Sequence, residues 1–415
     1  MNKTLALNHT VHLEQVESLL EKRKRKAGVW KALFQFSTLV GVIALTILLL
    51  SIVNQTFGLV AIQDTHNRAE FISQPLETLS NDEMINLLEA NLSKNRLRTL
   101  DREKPLFERS HADLMTLVEN EVFEVKVVDS AHLFQSLINP DDFAARVRLE
   151  YPDAIIEFKS WLTFKFITNT MSNVPEQAGV RTALLGSFLL ILITLVVAFP
   201  LGVSTAIYLE EYSKQDTRLS RVIQTNIDNL AGVPSIIYGI LGLAIFVRAL
   251  GPITSGQVFG VSGANGRTIL SAGFTMALLV LPVLITNAQE AIRAVPNSLR
   301  QASYGLGATK WQTIWHHVLP YALPGILTGT ILAISRALGE TAPLIIVGAA
   351  TYITKDPSGL FSNFTAIPIQ IYNWTTRPQA EFRNIAAAAI LVLLIMLLSM
   401  NAIAILWRNK IQKNR

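Results

Sequence analysis

The stretch "TALLGSFLLILITLVVAFPLGVSTAIYL", residues 182–209, contains no charged side chain. A helix needs about 20 consecutive, predominantly apolar residues to cross the hydrocarbon core of a bilayer, and this stretch is longer than that. The whole chain of 415 residues is 50% hydrophobic and only 16% charged, whereas a soluble domain usually has about 25% charged residues. The stretch therefore predicts a membrane-spanning helix, and the composition predicts a membrane protein.

Five other stretches have a similar character. They cover residues 32–53, 230–247, 268–288, 318–349 and 385–407. The shortest, 230–247, contains Pro234 between two glycines, so we expect a kink there. The stretch 318–349 is apolar apart from Arg336 and Glu340. The sequence thus predicts an all-α membrane protein with six transmembrane helices.

The distribution of basic residues predicts how these spans are oriented. "EKRKRK" at residues 21–26 precedes the first span, and Lys and Arg next to a span favour the cytoplasmic side. No small-residue cleavage site stands out after it, which favours an uncleaved anchor. The loops 210–222 and 290–320 and the residues after 407 also carry Lys and Arg. We therefore expect both termini and these two loops in the cytoplasm.

The segment between the first two spans differs from the rest of the chain. Residues 60–175 carry 19 Asp and Glu against 12 Lys and Arg, whereas the remainder carries 12 against 24. Ser80 and Glu83 have the spacing of a helix capping box, and apolar residues over 156–166 mostly alternate with polar ones, as in a half-buried strand. We predict a small α/β extracytoplasmic domain inserted between spans one and two, and we expect residues 65–165 to fold by themselves.

These features divide the chain into five consecutive parts. A basic cytoplasmic N-terminus precedes the first transmembrane helix, the inserted domain, a core with five further transmembrane helices and a cytoplasmic C-terminus. The predicted parts cover residues 1–31, 32–58, 59–178, 179–408 and 409–415.

Several kinds of chemistry are excluded or disfavoured by the sequence. The absence of cysteine excludes disulfides and thiol catalysis, and no Gly-rich ATP-binding loop of the Walker type is present. His316 and His317 are neighbours, and adjacent helical side chains point about 100° apart, so they do not easily share a metal. The basic residues flank apolar stretches, which disfavours nucleic-acid binding. We predict neither an enzyme active site nor a metal site.

A polar stretch in the apolar half of the chain carries the most specific motif. The stretch "LRQASYGLGATKWQTIWHHVLP", residues 299–320, resembles the Glu-Ala-Ala loop of bacterial ABC-importer permeases in its spacing. The matching positions are Gln301, Ala302, Ser303, Gly307, Leu319 and Pro320. Gln301 replaces the family's Glu, Ser303 replaces an Ala, and His317 replaces an Ile. We expect two short helices joined at Gly307, with the small residues Ala302 and Ser303 fitting closely against a partner protein. The alternative is a helical hairpin that only rests on lipid headgroups.

Further stretches narrow the resemblance to one family. They are "AGVPSIIYGILG" (231–242), "LPVLITNAQEAIRAVP" (281–296), "LGATKWQTIWHHVLPYALPGI" (306–326) and "ISRALGETAPL" (334–344). Together they closely resemble the permease of the phosphate transport system, and "GETAPL" is similar to its A-type subunit. The resemblance covers about 181–407 strongly. The segment 60–175 departs from the compact family pattern, so its role stays open.

The resemblance implies the architecture of a type I ABC-importer permease in a bacterial inner membrane. It implies a C-type permease subunit as partner, an ATPase dimer that holds ATP and Mg²⁺ and docks at the coupling loop 290–320, and an extracytoplasmic phosphate-binding protein. This chain would then need no cofactor of its own, and its spans would contact lipid.

Arg336 and Glu340 are the candidate residues of the substrate pathway. We expect them four residues apart on one face of the fifth span. A charge at the bilayer centre costs at least ~2.5 kcal/mol, and the forked guanidinium of Arg suits an oxyanion. The alternative is an ion pair that braces the bundle; the residues alone leave both open, and the family resemblance favours the pathway. Asp228 is better explained as a cap or an interhelical partner.

Two other functions fit part of the sequence. A permease for another oxyanion, such as molybdate or sulfate, would share the same architecture. A membrane-anchored sensor would use 60–175 to receive a signal, but it would need a cytoplasmic output domain, and the stretches that we assign to the cytoplasm are short.

Overall fold

The computed structural model describes residues 2–64, 78–92, 94–122, 125–213, 217–261 and 265–413. By their internal contacts the residues fall into two units, Met1–Asn54 and Gln55–Arg415. Helix α1 covers Asn2–Thr56. It forms the first unit as far as Asn54, and its last two residues belong to the second unit. The predicted end of the first span at residue 58 is therefore two residues too late.

The second unit begins with a segment that contains strands and short helices. The strands are β1 (Phe57–Asp64), β2 (Val125–Ser130) and β3 (Ile155–Ser160). The helices are α2 (Asn81–Asn91), α3 (Lys94–Glu103), α4 (His111–Glu121), α5 (Leu133–Ile138), α6 (Pro140–Glu150) and α7 (Phe164–Thr168), with a 3₁₀ turn at Leu106–Glu108.

The remainder of the second unit is helical in the residues described. Its helices are α8 (Arg181–Ile207), α9 (Arg218–Ala231), α10 (Ser235–Gly242), α11 (Gly251–Thr254), α12 (Ile269–Arg293), α13 (Asn297–Gly305), α14 (Lys310–Thr313), α15 (Leu319–Gly339), α16 (Ala342–Val347), α17 (Ile367–Thr375) and α18 (Ala380–Lys413). Wider π-helical turns follow α8, α10 and α14, at Tyr208–Tyr212, Leu243–Ala249 and Ile314–Val318, and a 3₁₀ turn lies at Gln257–Phe259.

Within the described residues, five helical stretches are long and apolar enough to span a membrane. They are Arg23–Thr56, Arg181–Tyr212, Ile269–Arg293, Lys310–Gly339 and Ala380–Lys410. The predicted third span, 230–247, is broken instead of kinked: Arg218–Ala231 and Ser235–Ala249 meet at 107°. The break falls at Pro234, which lacks a backbone N–H and disfavours the helical conformation of the residue before it. The described residues contain six spans only if this bent pair counts as one.

Helix α12 is the centre of the helical bundle. It packs against α8, α15 and α10, and its buried residues Met276, Leu284 and Ile292 belong to the main hydrophobic cluster. A Cβ atom at Gly242 would overlap the side chain of Thr275, so the glycine lets α10 approach α12 closely. A charged side chain on the face of α12 that carries Met276, Leu284 and Ile292 would lose its hydration, which is costly.

The strands form one antiparallel sheet in the order β2-β1-β3. Strand β1 follows α1 directly, so the predicted boundary at residue 59 falls inside the central strand. The predicted capping box is confirmed, since Ser80 Oγ accepts from the N–H of Glu83 and the Glu83 carboxylate accepts from the N–H of Ser80. The predicted strand over 156–166 is correct only to Ser160, because Thr163 caps helix α7.

The sheet and the helical bundle share one hydrophobic cluster. Val60, Val127 and Trp161 from the sheet segment lie in the same cluster as Trp374 and Phe382 of the bundle. Helices α2 and α4 pack on a separate small cluster of their own. Our expectation for residues 65–165 set the start of the folding unit too late, because that fragment lacks the central strand.

Candidate functional site

The stretch 299–320 forms a helical hairpin at one end of the bundle. Helix α13 ends at Gly305, and Gly307 turns the chain with φ +81°. Its N–H donates to the carbonyl oxygen of Tyr304 at 2.9 Å, and Ala308 N donates to Ser303 O at 3.2 Å. Helix α14 then continues through the π-helical turn into α15. The arrangement matches the predicted pair of short helices joined at a glycine.

Ser303 does not lie on the outer face of the hairpin. Its side chain is buried, and its Oγ lies 2.9 Å from Thr313 Oγ1 on the other arm. We expected Ser303 to face a partner protein, and this was wrong: the small hydroxyl instead holds the two arms together. Gln301 and Ala302 are exposed. Leu319 and Pro320 begin α15, where they are half-buried.

The tip and outer face of the hairpin expose large apolar side chains. Leu306, beside the glycine turn, is 90% exposed, and Tyr304, Trp311 and Trp315 are exposed as well. The two indole rings stack with centroids 5.5 Å apart. Aromatic side chains are enriched at protein interfaces, so this surface is suited to contact with another chain.

A buried ion pair fixes the hairpin to the end of α8. Arg300 donates from Nη2 and Nε to Glu211 Oε1 at 2.7 and 3.0 Å, and the two side chains are only 15% and 7% exposed. Arg300 also donates to the carbonyl oxygens of Ile292 and Val295. The guanidinium therefore ties the hairpin both to α8 and to the end of α12.

A second arginine engages the neighbouring carboxylate. Arg293 Nη2 lies 2.6 Å from Glu210 Oε1, with the arginine 64% and the glutamate 7% exposed. Lys310 Nζ lies 5.2 Å from the centroid of the Tyr212 ring. Glu210 and Glu211 are consecutive residues of the π-helical turn after α8. Glu210 pairs with Arg293 of α12, and Glu211 pairs with Arg300 of α13. The sequence reasoning missed both glutamates; the available signal was an acidic pair directly after an apolar span.

A polar cavity of about 650 Å³ adjoins these ion pairs. It is lined by Leu209, Glu210, Ser220, Arg221, Gln224, Asp228, Gln289 and Arg293. Gln289 Nε2 donates to Gln224 Oε1, and Gln224 Nε2 donates to Asp228 Oδ1, each at 2.9 Å. Asp228 is thus linked through Gln224 to α12, which agrees with its expected role as an interhelical partner.

Arg336 and Glu340 lie at the other end of α15. Arg336 is in the last helical turn, and Glu340 is the first residue past the helix, with an extended backbone. The expectation that both lie on one helix face was therefore wrong for Glu340. Their side chains still meet, with Arg336 Nε 3.4 Å from Glu340 Oε1, and they are 51% and 18% exposed. Within the described residues the Nη atoms of Arg336 make no hydrogen bond.

The structure does not bring the two predicted sets of site residues together. Leu319 and Arg336 are the two ends of one helix, which at 1.5 Å per residue separates them by about 26 Å. The arginine pair and the hairpin are therefore two sites joined by a single rigid element.

The family is shown by comparison with known proteins. The family model described as "binding-protein-dependent transport system inner membrane component" matches residues 198–413. This chain belongs to that family. Membership makes it a membrane-spanning transport component of a system that depends on a binding protein.

The relatives bear the predicted resemblance out. Phosphate transport system permease protein PstA 1 of Mycobacterium tuberculosis is 38% identical over 239 residues, which are 57% of this chain and 73% of the relative. The probable ABC transporter permease protein YqgI of Bacillus subtilis is 30% identical over 262 residues, 60% of this chain and 84% of the relative. Phosphate transport system permease protein PstA of Yersinia pestis is 32% identical over 257 residues, 59% and 81% respectively.

Proposed function

We propose that this chain is the A-type permease subunit of an ATP-driven importer of inorganic phosphate. The observation that carries the proposal is its identity of 38% to a phosphate transport system permease over 73% of that relative. The bundle of α8, α12 and α15 would form the translocation pathway together with a second, C-type permease subunit. No covalent chemistry on phosphate is required of either subunit.

In this proposal the hairpin transmits movement from an ATPase dimer. The exposed residues Gln301, Ala302 and Leu306 would enter a groove on the ATPase. The ion pair between Arg300 and Glu211 gives the hairpin a stiff attachment to α8, so a displacement of the tip is passed to the spans. ATP and Mg²⁺ would be held by the partner ATPase and not by this chain. Closure of the ATPase dimer would then displace the hairpin.

The proposal also places the chain in the bacterial inner membrane with both termini in the cytoplasm. The basic cluster at 21–26 and the basic residues of the loop 290–320 support this orientation. Residues 57–178 would then form a small extracytoplasmic α/β domain on the side of the phosphate-binding protein. Because its sheet shares a hydrophobic cluster with α17 and α18, this domain would move with the spans instead of swinging on a linker.

Arg336 is the residue that we propose to meet the transported anion. It is half exposed, only its Nε is engaged, and its loose partner leaves the forked Nη donors available. Guanidinium donors match a phosphate oxyanion bidentately. A charge on a span is tolerated where it faces protein or a water-filled cavity, and the pathway between two permease subunits would supply one.

Reconstitution tests the proposal. The chain should drive phosphate uptake into vesicles only together with the C-type subunit, the ATPase and the binding protein. Unlabelled phosphate should reduce the uptake of labelled phosphate, whereas molybdate and sulfate should not. Uptake by the chain alone, or stronger competition by molybdate or sulfate, would overturn the assignment.

A further inference from the structure

A second, smaller pocket lies where the sheet segment meets the start of α18. Its volume is about 230 Å³, well above the roughly 30 Å³ that a water molecule occupies in the liquid. It is lined by Gln55, Ser130, His132, Ala380, Arg383 and Asn384. These residues come from the end of α1, the end of β2, the residue before α5 and the first turn of α18.

Asn384 supplies the pocket with a polar side chain. The residue is only 3% exposed and lines the pocket. Its side chain makes no hydrogen bond with any other residue in the part of the chain that the structure describes. A buried amide without a partner is costly, and in native proteins such groups are satisfied by protein, water or ligand. The amide lines the pocket, so water or a ligand held there can be its partner.

The charges that line the pocket favour an anion, and Glu381 in the same helical turn does not line it. Arg383 is exposed and has no ion-pair partner among the described residues, and the imidazole of His132 also lines the pocket. The pocket also lies at the N-terminus of α18, where free N–H groups and the helix dipole favour negative charge. None of the lining residues is acidic. The nearby Asp129 is engaged by Arg146 at 2.9 Å.

We propose that this pocket binds a phosphate-type oxyanion. Arg383 would supply charge-assisted donors, Asn384 its unpaired amide, Ser130 a hydroxyl and α18 its first N–H groups. The anion would clamp the sheet segment to the last span, since it would touch both. It can come from two sources that share this chemistry: inorganic phosphate from solution, or the phosphate of an anionic lipid headgroup. The site is separate from Arg336 and does not depend on the transport function.

Binding of labelled inorganic phosphate to the purified full-length chain tests the first source. The measurement is made in an Arg336→Gln background, so that the proposed pathway site does not contribute. Arg383→Gln and Asn384→Ala should each weaken binding at least about tenfold, because a charge-assisted or buried hydrogen bond is lost. Arg148→Gln is the matched control, as it removes an exposed arginine of α6 that does not line the pocket; it should leave binding unchanged.

Nanodiscs test the second source. In discs of phosphatidylglycerol, native mass spectrometry should find a retained lipid on the parent chain and on Arg148→Gln but not on Arg383→Gln. If Arg383→Gln loses binding of phosphate or of lipid, the proposed pocket is supported and its ligand is identified. The proposal is overturned if Arg383→Gln and Arg148→Gln bind both ligands equally while both variants show the thermal unfolding of the parent chain.

Discussion

Arg300 and Glu211 form a buried ion pair in which two guanidinium nitrogens, Nε and Nη2, share the single carboxylate oxygen Oε1 at 3.0 and 2.7 Å. The pair joins the hairpin to the end of α8, two elements separated in the sequence by the broken span and by α12. Removing one partner of a buried pair leaves a charge without compensation, which typically destabilises by about 3–5 kcal/mol.

Arg300→Gln should therefore loosen the hairpin without unfolding the bundle. We expect faster proteolytic cleavage within 290–320 and loss of ATPase binding in a co-purification assay. The double variant Arg300→Gln with Glu211→Gln should be less destabilised than the two single changes added together, because neither charge is then left alone.

Arg293→Gln is the matched control for this prediction. In its pair with Glu210 the carboxylate is 7% exposed but the arginine is 64% exposed, so solvent screens this pair more than the pair of Arg300 and we expect a smaller effect. Cleavage rates that rise equally for Arg293→Gln and Arg300→Gln would contradict the view that the buried pair anchors the hairpin.

The glycine turn gives a second prediction, based on Gly305 and Gly307. A Cβ atom at either position would meet nothing within 4 Å, but only Gly307 has a left-handed backbone, with φ +81°. Gly307→Ala should cost about 1–2 kcal/mol in this conformation, whereas Gly305→Ala should be neutral. Gly307→Pro is more severe, because proline holds φ near −65°.

The measurement is the amount of phosphate transported per ATP hydrolysed by the reconstituted assembly. The assembly with Gly307→Pro should hydrolyse ATP without matching phosphate uptake. With Gly307→Ala the ratio of phosphate transported to ATP hydrolysed should lie between that of Gly307→Pro and that of the unchanged chain. Normal coupling in Gly307→Pro would count against docking of the ATPase at this turn.

Much of this site was readable from the sequence, for a physical reason. The hairpin follows from the spacing of polar and small residues and one glycine, all local to 299–320. The partners of Arg300 and of the nearby Arg293 could not be predicted, because Glu211 and Glu210 are about 80 to 90 positions away. On a regular α-helix adjacent side chains also point about 100° apart, so nothing in the sequence indicated that both glutamates would pair with arginines of the loop 290–320.

The fold shows the same limit. Long apolar stretches predicted the five unbroken spans because length alone decides that property. The stretch 230–247 also looked like a span, but Pro234 turned a predicted kink into a bend of 107°. Likewise, alternation over 156–166 predicted a strand, yet the local cap at Thr163 favoured a helix after Ser160. Short-range hydrogen bonds overrode the pattern in that case.

Two capping boxes, Ser80 with Glu83 and Ser110 with Asp113, give a prediction about pH. The pKa of Glu83 is lowered from 4.5 by the hydrogen bonds that its carboxylate accepts from the backbone and side chain of Ser80. The pKa of Asp113 is lowered from 3.8 by the Ser110 side chain first and then by its backbone. Carboxylates with a lowered folded pKa contribute stability that is present above the unfolded pKa and lost as the pH falls through the folded pKa.

Hydrogen exchange of the α2 amides in the full-length chain measures this effect. At about pH 7 the unchanged chain should protect α2 better than Glu83→Gln, which keeps an acceptor but not the charge. As the pH falls through the lowered folded pKa of Glu83, this difference should disappear. A difference between them that is independent of pH would show that the carboxylate charge is not the cause.

The pair of Arg336 and Glu340 decides between a pathway residue and a structural brace. The contact is long, at 3.4 Å, and the arginine is half exposed, so the pair itself contributes little to stability. We expect Arg336→Gln to abolish or sharply reduce phosphate uptake while the complex with the ATPase still co-purifies. Glu340→Gln, which keeps the guanidinium, should retain most of the uptake. Arg336→Lys should recover only part, because a point charge lacks the forked geometry.

Exchanging the two charges separates the roles most sharply. In Arg336→Glu with Glu340→Arg the attraction between the two side chains survives, so a brace would be restored. A phosphate that meets position 336 would instead face a carboxylate, and repulsion at ~4 Å costs roughly 1–4 kcal/mol at effective dielectrics of 80 to 20. We therefore expect the exchanged protein to assemble and yet fail to transport. Full uptake by the exchanged protein would make the pair a brace, because only a structural pair depends on mutual attraction and not on which residue carries the positive charge. Loss of assembly in each of the single variants Arg336→Gln and Glu340→Gln would lead to the same conclusion.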